Sequence, residues 1–452
     1  MKFHIRTFGC QMNINESEIM RGLLSEQELE WTENPEQADV LIINSCSVRE
    51  KAEKKMYAAI GTYNKLKKSK PGIIIGVGGC SAAKEKEKIL KKYSGVNFVF
   101  GTRNVVDIAN LVERARKDKN QFIDMSDKLD SVSWEIPKVT GSDHHAWITI
   151  QYGCNKYCTY CIVPYTRGLE KSRTVEDIVK EIKDYASKGF KEVTLLGQNV
   201  DSYGKDYGDG KPKLDKLIEE AAKAEGIERI WFTTSYPSDI TDELIEKVSE
   251  VKKAAKYFHL PAQAGSDSVL KRMNRRYTSE EFINLVNKIK EKVKGVTITS
   301  DFIVGFPGES DEEFEETYKI VEKCRFEKIN IAEYSTREGT IASKFLKDDI
   351  SKEVKNKRLT RLMDLQKKIN KEENNKYIGR TVRVIQEGKN KQGLFYGRTL
   401  NNKMIIFESE DTFTGLYADI KIKRSSAGPL YGDIVITQKD KDFNSECDPT
   451  FE

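Results

Sequence analysis

Three cysteines in the string CNKYCTYC (Cys154, Cys158 and Cys161) are the residues of this chain best suited to chemistry. They follow an apolar, β-rich stretch, AWITIQYG. The spacing Cys-x-x-x-Cys-x-x-Cys in a short loop gathers three thiolates on one side. Three sulfurs around a four-iron cubane leave one iron without a protein ligand. Such an iron can hold the amino and carboxylate groups of S-adenosylmethionine, whose sulfonium is cleaved by an electron from the cluster. A zinc site and buried structural cysteines are the alternatives. Zinc usually takes two Cys pairs, or a Cys pair with paired His. No second CxxC exists in the chain, and His144 and His145 lie too close to the trio to be a separate pair. These residues favour the cluster.

A loop of that kind needs a scaffold, and residues 145 to about 350 supply a β/α alternation. Strands are expected at AWITIQYG, EVTLLGQN, RIWFTTSY, YFHLPAQ, ITSDFIVGF and NIAEYS. Amphipathic helices such as TVEDIVKEIKDYASKGF and DEEFEETYKIVEKC follow most of them. Six repeats predict a partial (β/α)6 barrel, with its chemistry at the carboxyl ends of the strands. The cysteine loop follows the first strand of the series. Gly197, Gln198 and Asn199 end the second strand, and Ser235, Gln263 and Asp301 lie at later strand ends. All six are candidate cofactor contacts, with a plain βα turn as the alternative for Gly197, Gln198 and Asn199. Arg167 and Arg173, just past the loop, are candidate contacts for a carboxylate or phosphate. His259 reads equally as a core histidine or a functional one.

Residues 1–126 carry a second alternation, with strand-like runs FHIRTFG, DVLIINS, GIIIGVGG and NFVFG between helical ones. This pattern predicts an open parallel α/β domain. Cys10, Cys46 and Cys80 each fall immediately after a strand. In an open parallel sheet those ends share one edge, where ligands bind, so the three are expected to form a second metal site. Separately buried thiols are the alternative. Gly76 and Gly78 in GIIIGVGGC give only part of a dinucleotide fingerprint, and NAD binding is rejected.

Residues 127–144 (DKLDSVSWEIPKVTGSDH) read as a linker. Residues 351–376 form a basic helix. Leu359, Leu362, Met363, Gln366 and Ile369 are expected on its core side, with Lys355, Lys357, Arg358, Arg361, Lys367 and Lys368 outside. The central domain thus spans 145–375. Short strands with Gly turns over 376–443 predict a small OB-like β-barrel, followed by a tail, 444–452. Twelve Lys/Arg against eight Asp/Glu over 376–442 suit a nucleic-acid platform as well as a solvated surface. Arg398 and Lys403 are the candidate phosphate contacts. Cys324 and Cys447 are expected to have no role.

The chain has 452 residues, of which 33% are charged, and carries a formal net charge of +5. Two to four domains are expected. No apolar run approaches the ~20 residues needed to cross a membrane, and the N-terminus lacks a charged-then-apolar export pattern. Eight cysteines at scattered spacings then suggest metal or catalysis rather than disulfides. A cytoplasmic location is expected, and nothing suggests an obligate interface, so a monomer is expected.

TFGCQMN, INSCSVRE, YGCNKYCTYCIVPYTRG, LLGQNVDSYG, DFIVGFPGE and GRTLNNK together resemble the MiaB-type branch of the radical S-adenosylmethionine methylthiotransferases. The resemblance covers nearly the whole chain, with a C-terminal barrel of the TRAM type. Ala264 stands where a serine is common, Tyr236 where histidine is common, and Leu169 where a basic residue is common. The resemblance implies two 4Fe-4S clusters, one on each cysteine trio, and two molecules of S-adenosylmethionine per turnover. The substrate it implies is N6-isopentenyladenosine beside the anticodon of tRNA, converted to its 2-methylthio derivative. The anticodon stem-loop and a reductant such as flavodoxin or ferredoxin would be the partners. The target carbon carries an unactivated hydrogen that no side chain removes as a proton at neutral pH, so radical chemistry is required. By the same resemblance the cluster on Cys154, Cys158 and Cys161 cleaves S-adenosylmethionine, and the one on Cys10, Cys46 and Cys80 delivers sulfur. Threonylcarbamoyladenosine in tRNA, or a ribosomal protein, is the alternative substrate.

Overall fold

Alternate residues of the strand VLIINS face opposite sides, and both sides are apolar. A strand of this kind is stable only when covered on both faces. The computed structural model, which describes residues 1–47, 50–127, 136–445 and 448–451, places it in a six-stranded parallel sheet. The strands are β1 (Lys2–Phe8), β2 (Glu30–Trp31), β3 (Val40–Ser45), β4 (Ile74–Gly78), β5 (Phe98–Phe100) and β6 (Phe122–Asp124), ordered β2-β1-β3-β4-β5-β6. Val40 and Ile42 pack on one face with Phe3, Ile19, Met20 and Leu111. Leu41 and Ile43 pack on the other with Met56, Ile60, Tyr63 and Val77. Full burial of each such side chain stabilises by about 1.5–3 kcal/mol.

This sheet belongs to a first compact unit, Met1–Ser142 with Tyr152–Tyr157 and Cys161–Lys171; the second comprises Asp143–Gln151, Cys158–Tyr160 and Ser172–Glu452. Residues 128–135 of the expected linker and Cys447 lie outside the described residues.

The second unit holds β7 (His145–Thr149). Two short strands, β8 (Gln151–Tyr152) and β9 (Lys171–Ser172), flank the cysteine loop in sequence. Then come β10 (Glu192–Leu196), β11 (Arg229–Phe232), β12 (Tyr257–His259), β13 (Thr297–Val304) and β14 (Lys328–Glu333). The order β7-β10-β11 and β12-β13-β14 is parallel throughout. A parallel bridge between Ile230 and Ala254 joins the two halves into six strands. Two of the intervening helices start at a capping box: Thr278 Oγ1 accepts from Glu281 N, and Ser310 Oγ from Glu313 N, each at 3.2 Å.

The helix Lys352–Asn375 buries Leu362, Leu365, Gln366 and Ile369. Met363, expected in that stripe, is exposed, and Lys355 and Arg358, expected outside, are buried. The cause is acidic partners from neighbouring segments: Lys355 pairs with Asp348 (2.5 Å), and Arg358 with Glu309 (2.7 Å) and Asp311 (2.8 Å).

Beyond it, β15 (Thr381–Lys389), β16 (Phe395–Arg398), β17 (Met404–Phe407), β18 (Tyr417–Arg424) and β19 (Leu430–Thr437) close into a barrel, ordered β15-β16-β17-β19-β18. Val382, Val384, Phe395, Ile405, Phe407 and Ile420 fill it. The expected tail is tied to the barrel, since the Arg383 amide donates to Thr450 Oγ1 (2.8 Å).

The turn joining β16 to β17 crosses the amino ends of four parallel strands. Arg229 Nη1 donates to the Arg398 carbonyl (2.5 Å), the Lys256 amide to that of Leu400 (3.0 Å), and Thr297 Oγ1 to that of Asn401 (2.5 Å). Lys403 completes the series: it is buried, pairs with Glu327 and donates to Asn374 Oδ1 (2.8 Å). Lys403 therefore docks the barrel and is not a phosphate contact. A sequence cannot show that a lysine in a turn has a buried carboxylate waiting for it. Removing one partner of a buried pair costs about 3–5 kcal/mol. Lys403→Met is therefore expected to lower the urea midpoint sharply, and Glu327→Gln combined with it to recover part of the loss.

Candidate active site

Because β1, β3 and β4 are neighbours running the same way, whatever follows each of them meets at one edge. Cys10 is the N-cap of the helix Gln11–Glu26, Cys46 follows β3, and Cys80 opens the helix Cys80–Glu85. The Cys46 amide donates to the Phe8 carbonyl (2.8 Å), which fixes its position beside the end of β1. All three are thiols rather than disulfides, and Cys46 and Cys80 are buried. A hydrogen bond with Cys46 pulls the Cys10 thiol down to about 5 against its burial, with the Arg167 charge helping, while burial pushes Cys80 up.

Polar side chains surround the trio. Asn13 Oδ1 accepts from the Cys10 amide (3.3 Å) and lies 3.5 Å from its sulfur. Asn13 Nδ2 and Asn44 Nδ2 both donate to Glu16 Oε2 (3.2 and 3.3 Å). Arg167, expected beside the other cysteine loop's cofactor, lies here instead, with Nε on Cys80 Sγ (3.1 Å) and Nη1 on Glu16 Oε1 (2.7 Å). Among the described residues no three Cys, His, Asp or Glu close on a point as one metal ion requires. A cubane spreads its cysteine ligands over separate corners, so three thiols with no carboxylate or imidazole among them fit a cluster better than a lone zinc.

The other trio is divided: Cys154 and Cys161 belong to the first unit, Cys158 to the second. In the first, the Cys154 amide donates to the Gly168 carbonyl (3.1 Å), tying the start of the loop to its return. In the second, Thr159 is held at both ends, its amide on the Met273 carbonyl (3.0 Å) and its carbonyl accepting from Ala342 N (2.7 Å). Arg275 Nη1 reaches Cys158 Sγ (3.5 Å), and Nη2 donates to the Pro261 carbonyl (2.6 Å). The guanidinium lies 4.2 Å from the Tyr236 ring centroid and 5.0 Å from that of Tyr277. Tyr236 thus supports an arginine that touches Cys158.

The strand-end candidates sit in the second unit. Asn199 Nδ2 donates to Asp239 Oδ2 (2.6 Å), and Ser235 Oγ to Asp201 Oδ1 (3.2 Å). Gly197 and Gln198 immediately follow β10. Gln263 bridges to Phe302 with a left-handed φ of 72°. Asp301, expected at a strand end, lies inside the longer β13 (Thr297–Val304), where it accepts from Asn330 Nδ2 (2.8 Å) and faces His259 Nε2 (3.1 Å). His259 therefore has a polar role, next to a cofactor candidate. Arg173 is committed elsewhere, to Glu181 (2.6 Å) and the Thr149 carbonyl (2.8 Å). Arg398 is 41% exposed, with Glu387 3.5 Å away.

Three family models match the chain: the uncharacterized protein family UPF0004 over 2–101, the radical SAM superfamily over 148–321 and the TRAM domain over 375–435. The tRNA-2-methylthio-N(6)-dimethylallyladenosine synthase of Petrotoga mobilis is 64% identical, over 96% of this chain and 99% of its own. That of Thermotoga petrophila is 52% identical, over 96% and 97%. The chain belongs to this family of radical S-adenosylmethionine methylthiotransferases. A methyltransferase of the wider superfamily, TsrM from Kitasatospora setae, shares the fold at a TM-score of 0.54 and 11% identity, over 73% of this chain and 72% of its own.

Four residues of this methylthiotransferase escaped sequence reasoning: Asn13, Glu16, Asn44 and Arg275. Asn44 alone carried a signal, a polar residue inside an otherwise apolar strand. The N-terminal trio also depends on Gly79, which has φ 88°; a Cβ there would strike Asn44 Oδ1 and the Ser45 carbonyl (2.5 Å). Gly79→Ala is expected to cost about 2 kcal/mol or more, read as a lower unfolding midpoint.

Proposed function

We propose that this chain inserts a methylthio group at the adenine carbon between the two ring nitrogens of N6-isopentenyladenosine, beside the anticodon of tRNA. The observation that carries this reading is the end-to-end likeness to synthases named for that product, on a chain whose two cysteine trios each have three thiols. When bound, the two clusters supply reductive cleavage of S-adenosylmethionine and the sulfur that is transferred.

The chain's own residues do the rest. Cys154, Cys158 and Cys161 would hold the cluster that cleaves S-adenosylmethionine, and Cys10, Cys46 and Cys80 the one that supplies sulfur. Asn199, Ser235 and Gln263, with Gly197 and Gln198, follow β10, β11 and β12, and with Asp301 of β13 they would contact cofactor and adenine on the carboxyl side of the parallel strands. Their polar partners Asp201, Asp239 and His259 hold these side chains in place before anything binds. The barrel presents Arg398, and Arg424 stacked 3.8 Å from the Tyr431 ring centroid, to the RNA backbone and bases. A low-potential reductant of the flavodoxin or ferredoxin class delivers the electron, and the protein works as a cytoplasmic monomer.

Cys154→Ala is expected to abolish deoxyadenosine formation after anaerobic reduction. Cys46→Ala is expected to retain that cleavage and lose the methylthio product, both read by chromatography of digested tRNA. Full methylthiolation by the Cys46 variant would remove the sulfur-donor role. Product on threonylcarbamoyladenosine instead would change the substrate. Arg398→Ala is expected to weaken tRNA binding and flatten its salt dependence by about one phosphate contact, measured by filter binding at several salt concentrations.

A further inference from the structure

Arg167 stands six residues beyond Cys161, at the end of the helix Val163–Arg167, yet its guanidinium is buried at the other trio. Its backbone is anchored there: Arg103 Nε donates to the Arg167 carbonyl (2.9 Å), and Thr102 Oγ1 to that of Thr166 (3.2 Å). The three guanidinium nitrogens are used differently. Nη1 pairs with Glu16, Nε donates to Cys80 Sγ, and Nη2 is buried with no acceptor among the described residues.

Glu16 cannot turn toward Nη2. Its second oxygen is held by Asn13 and Asn44, so the carboxylate offers Arg167 one oxygen only. A pair built only for stability would use the bidentate fork that arginine and carboxylate prefer. Burying an arginine while leaving one donor empty is costly. The empty donor and the donor on Cys80 belong to one planar group and lie on the side that Glu16 does not occupy. An anionic group held by the trio would satisfy both.

We propose that Arg167, held by Glu16, is a positioning residue of the N-terminal cluster: it donates to the Cys80 thiolate and to the anionic cluster itself, and sets its reduction potential. The inference rests on the reading that this trio holds a cluster. Hydrogen bonds to cluster sulfurs and nearby charge set such potentials. A buried cation stabilises the reduced, more negative state, whereas the Glu16 carboxylate opposes it.

The two residues must therefore act in opposite directions. The test uses the full chain with Cys154, Cys158 and Cys161 replaced by Ala, reconstituted so that only the N-terminal cluster remains, with its potential followed by electron paramagnetic resonance. Arg167→Met is expected to move the potential negative, Arg167→Lys to move it less in the same direction, and Glu16→Gln to move it positive. An unchanged potential in variants that retain about four irons per chain would overturn the proposal, as would shifts of one sign in all three. If Arg167→Met fails to retain iron, Arg167→Lys and Glu16→Gln decide by the same signs. A parent that binds no cluster would instead overturn the assignment of the trio, and this proposal with it.

Discussion

Parallel pairing of β1 with β3 and of β3 with β4 is the constraint on which the first unit's chemistry depends. Cysteines 36 and 34 positions apart in the chain become neighbours only if three strands point the same way and lie side by side. That in turn requires helices on both faces, which is why VLIINS and IIGVG are buried along their whole length. An antiparallel arrangement would send one of the three cysteines to the opposite edge. The sheet's two apolar faces and its one polar edge are thus a single design, with the core stabilising the geometry that the edge requires.

Charge has to be managed at that edge. Glu16 is among the most buried carboxyls of the unit, and burial pushes its pKa up while Arg167 pulls it down. The two Asn side chains matter because an amide solvates a carboxylate without adding charge. Asn13 does double service, bonding Cys10 through its oxygen and Glu16 through its nitrogen. Arg275 has a parallel place in the second unit, where two tyrosine rings and the Pro261 carbonyl hold a buried guanidinium near Cys158. Tyr236 suits that role because its ring covers the guanidinium face and its hydroxyl accepts from the Arg276 amide (3.2 Å).

Periodicity and strand-end position made the architecture legible: both alternations, the six-strand series and the barrel follow from where apolar runs stop. The convergence of Cys10, Cys46 and Cys80 followed from the same rule. Partners did not. Arg167 sits so near Cys161 in sequence that proximity pointed to the wrong site, and only the fold shows that its side chain meets Cys80. Met363 and Leu365 are two residues apart on one helix, and apolarity alone could not show which faces inward. Lys355, Arg358 and Lys403 have basic side chains that composition assigns to the surface, yet each meets a carboxylate from a distant segment.

Lys403 also shows how the barrel is oriented within the second unit. Its partner Glu327 immediately precedes β14, Lys256 precedes β12, and Arg229 and Thr297 begin β11 and β13. These four contacts between the 398–403 segment and the strands therefore fall on the strands' amino ends. Conversely, Asn199, Ser235 and Gln263 lie past the opposite ends of β10, β11 and β12. A parallel β/α layer keeps its two edges apart, so side chains at the amino ends can be used for docking without disturbing those at the carboxyl ends. The conspicuous string GRTLNNK thus combines two jobs within seven residues: Thr399 to Lys403 fasten the barrel, and Arg398 alone keeps a substantially exposed charged side chain. Any contribution of this turn to RNA binding has to come through Arg398 and the neighbouring barrel surface, with the docked residues holding that surface at a fixed distance from the strands' carboxyl ends.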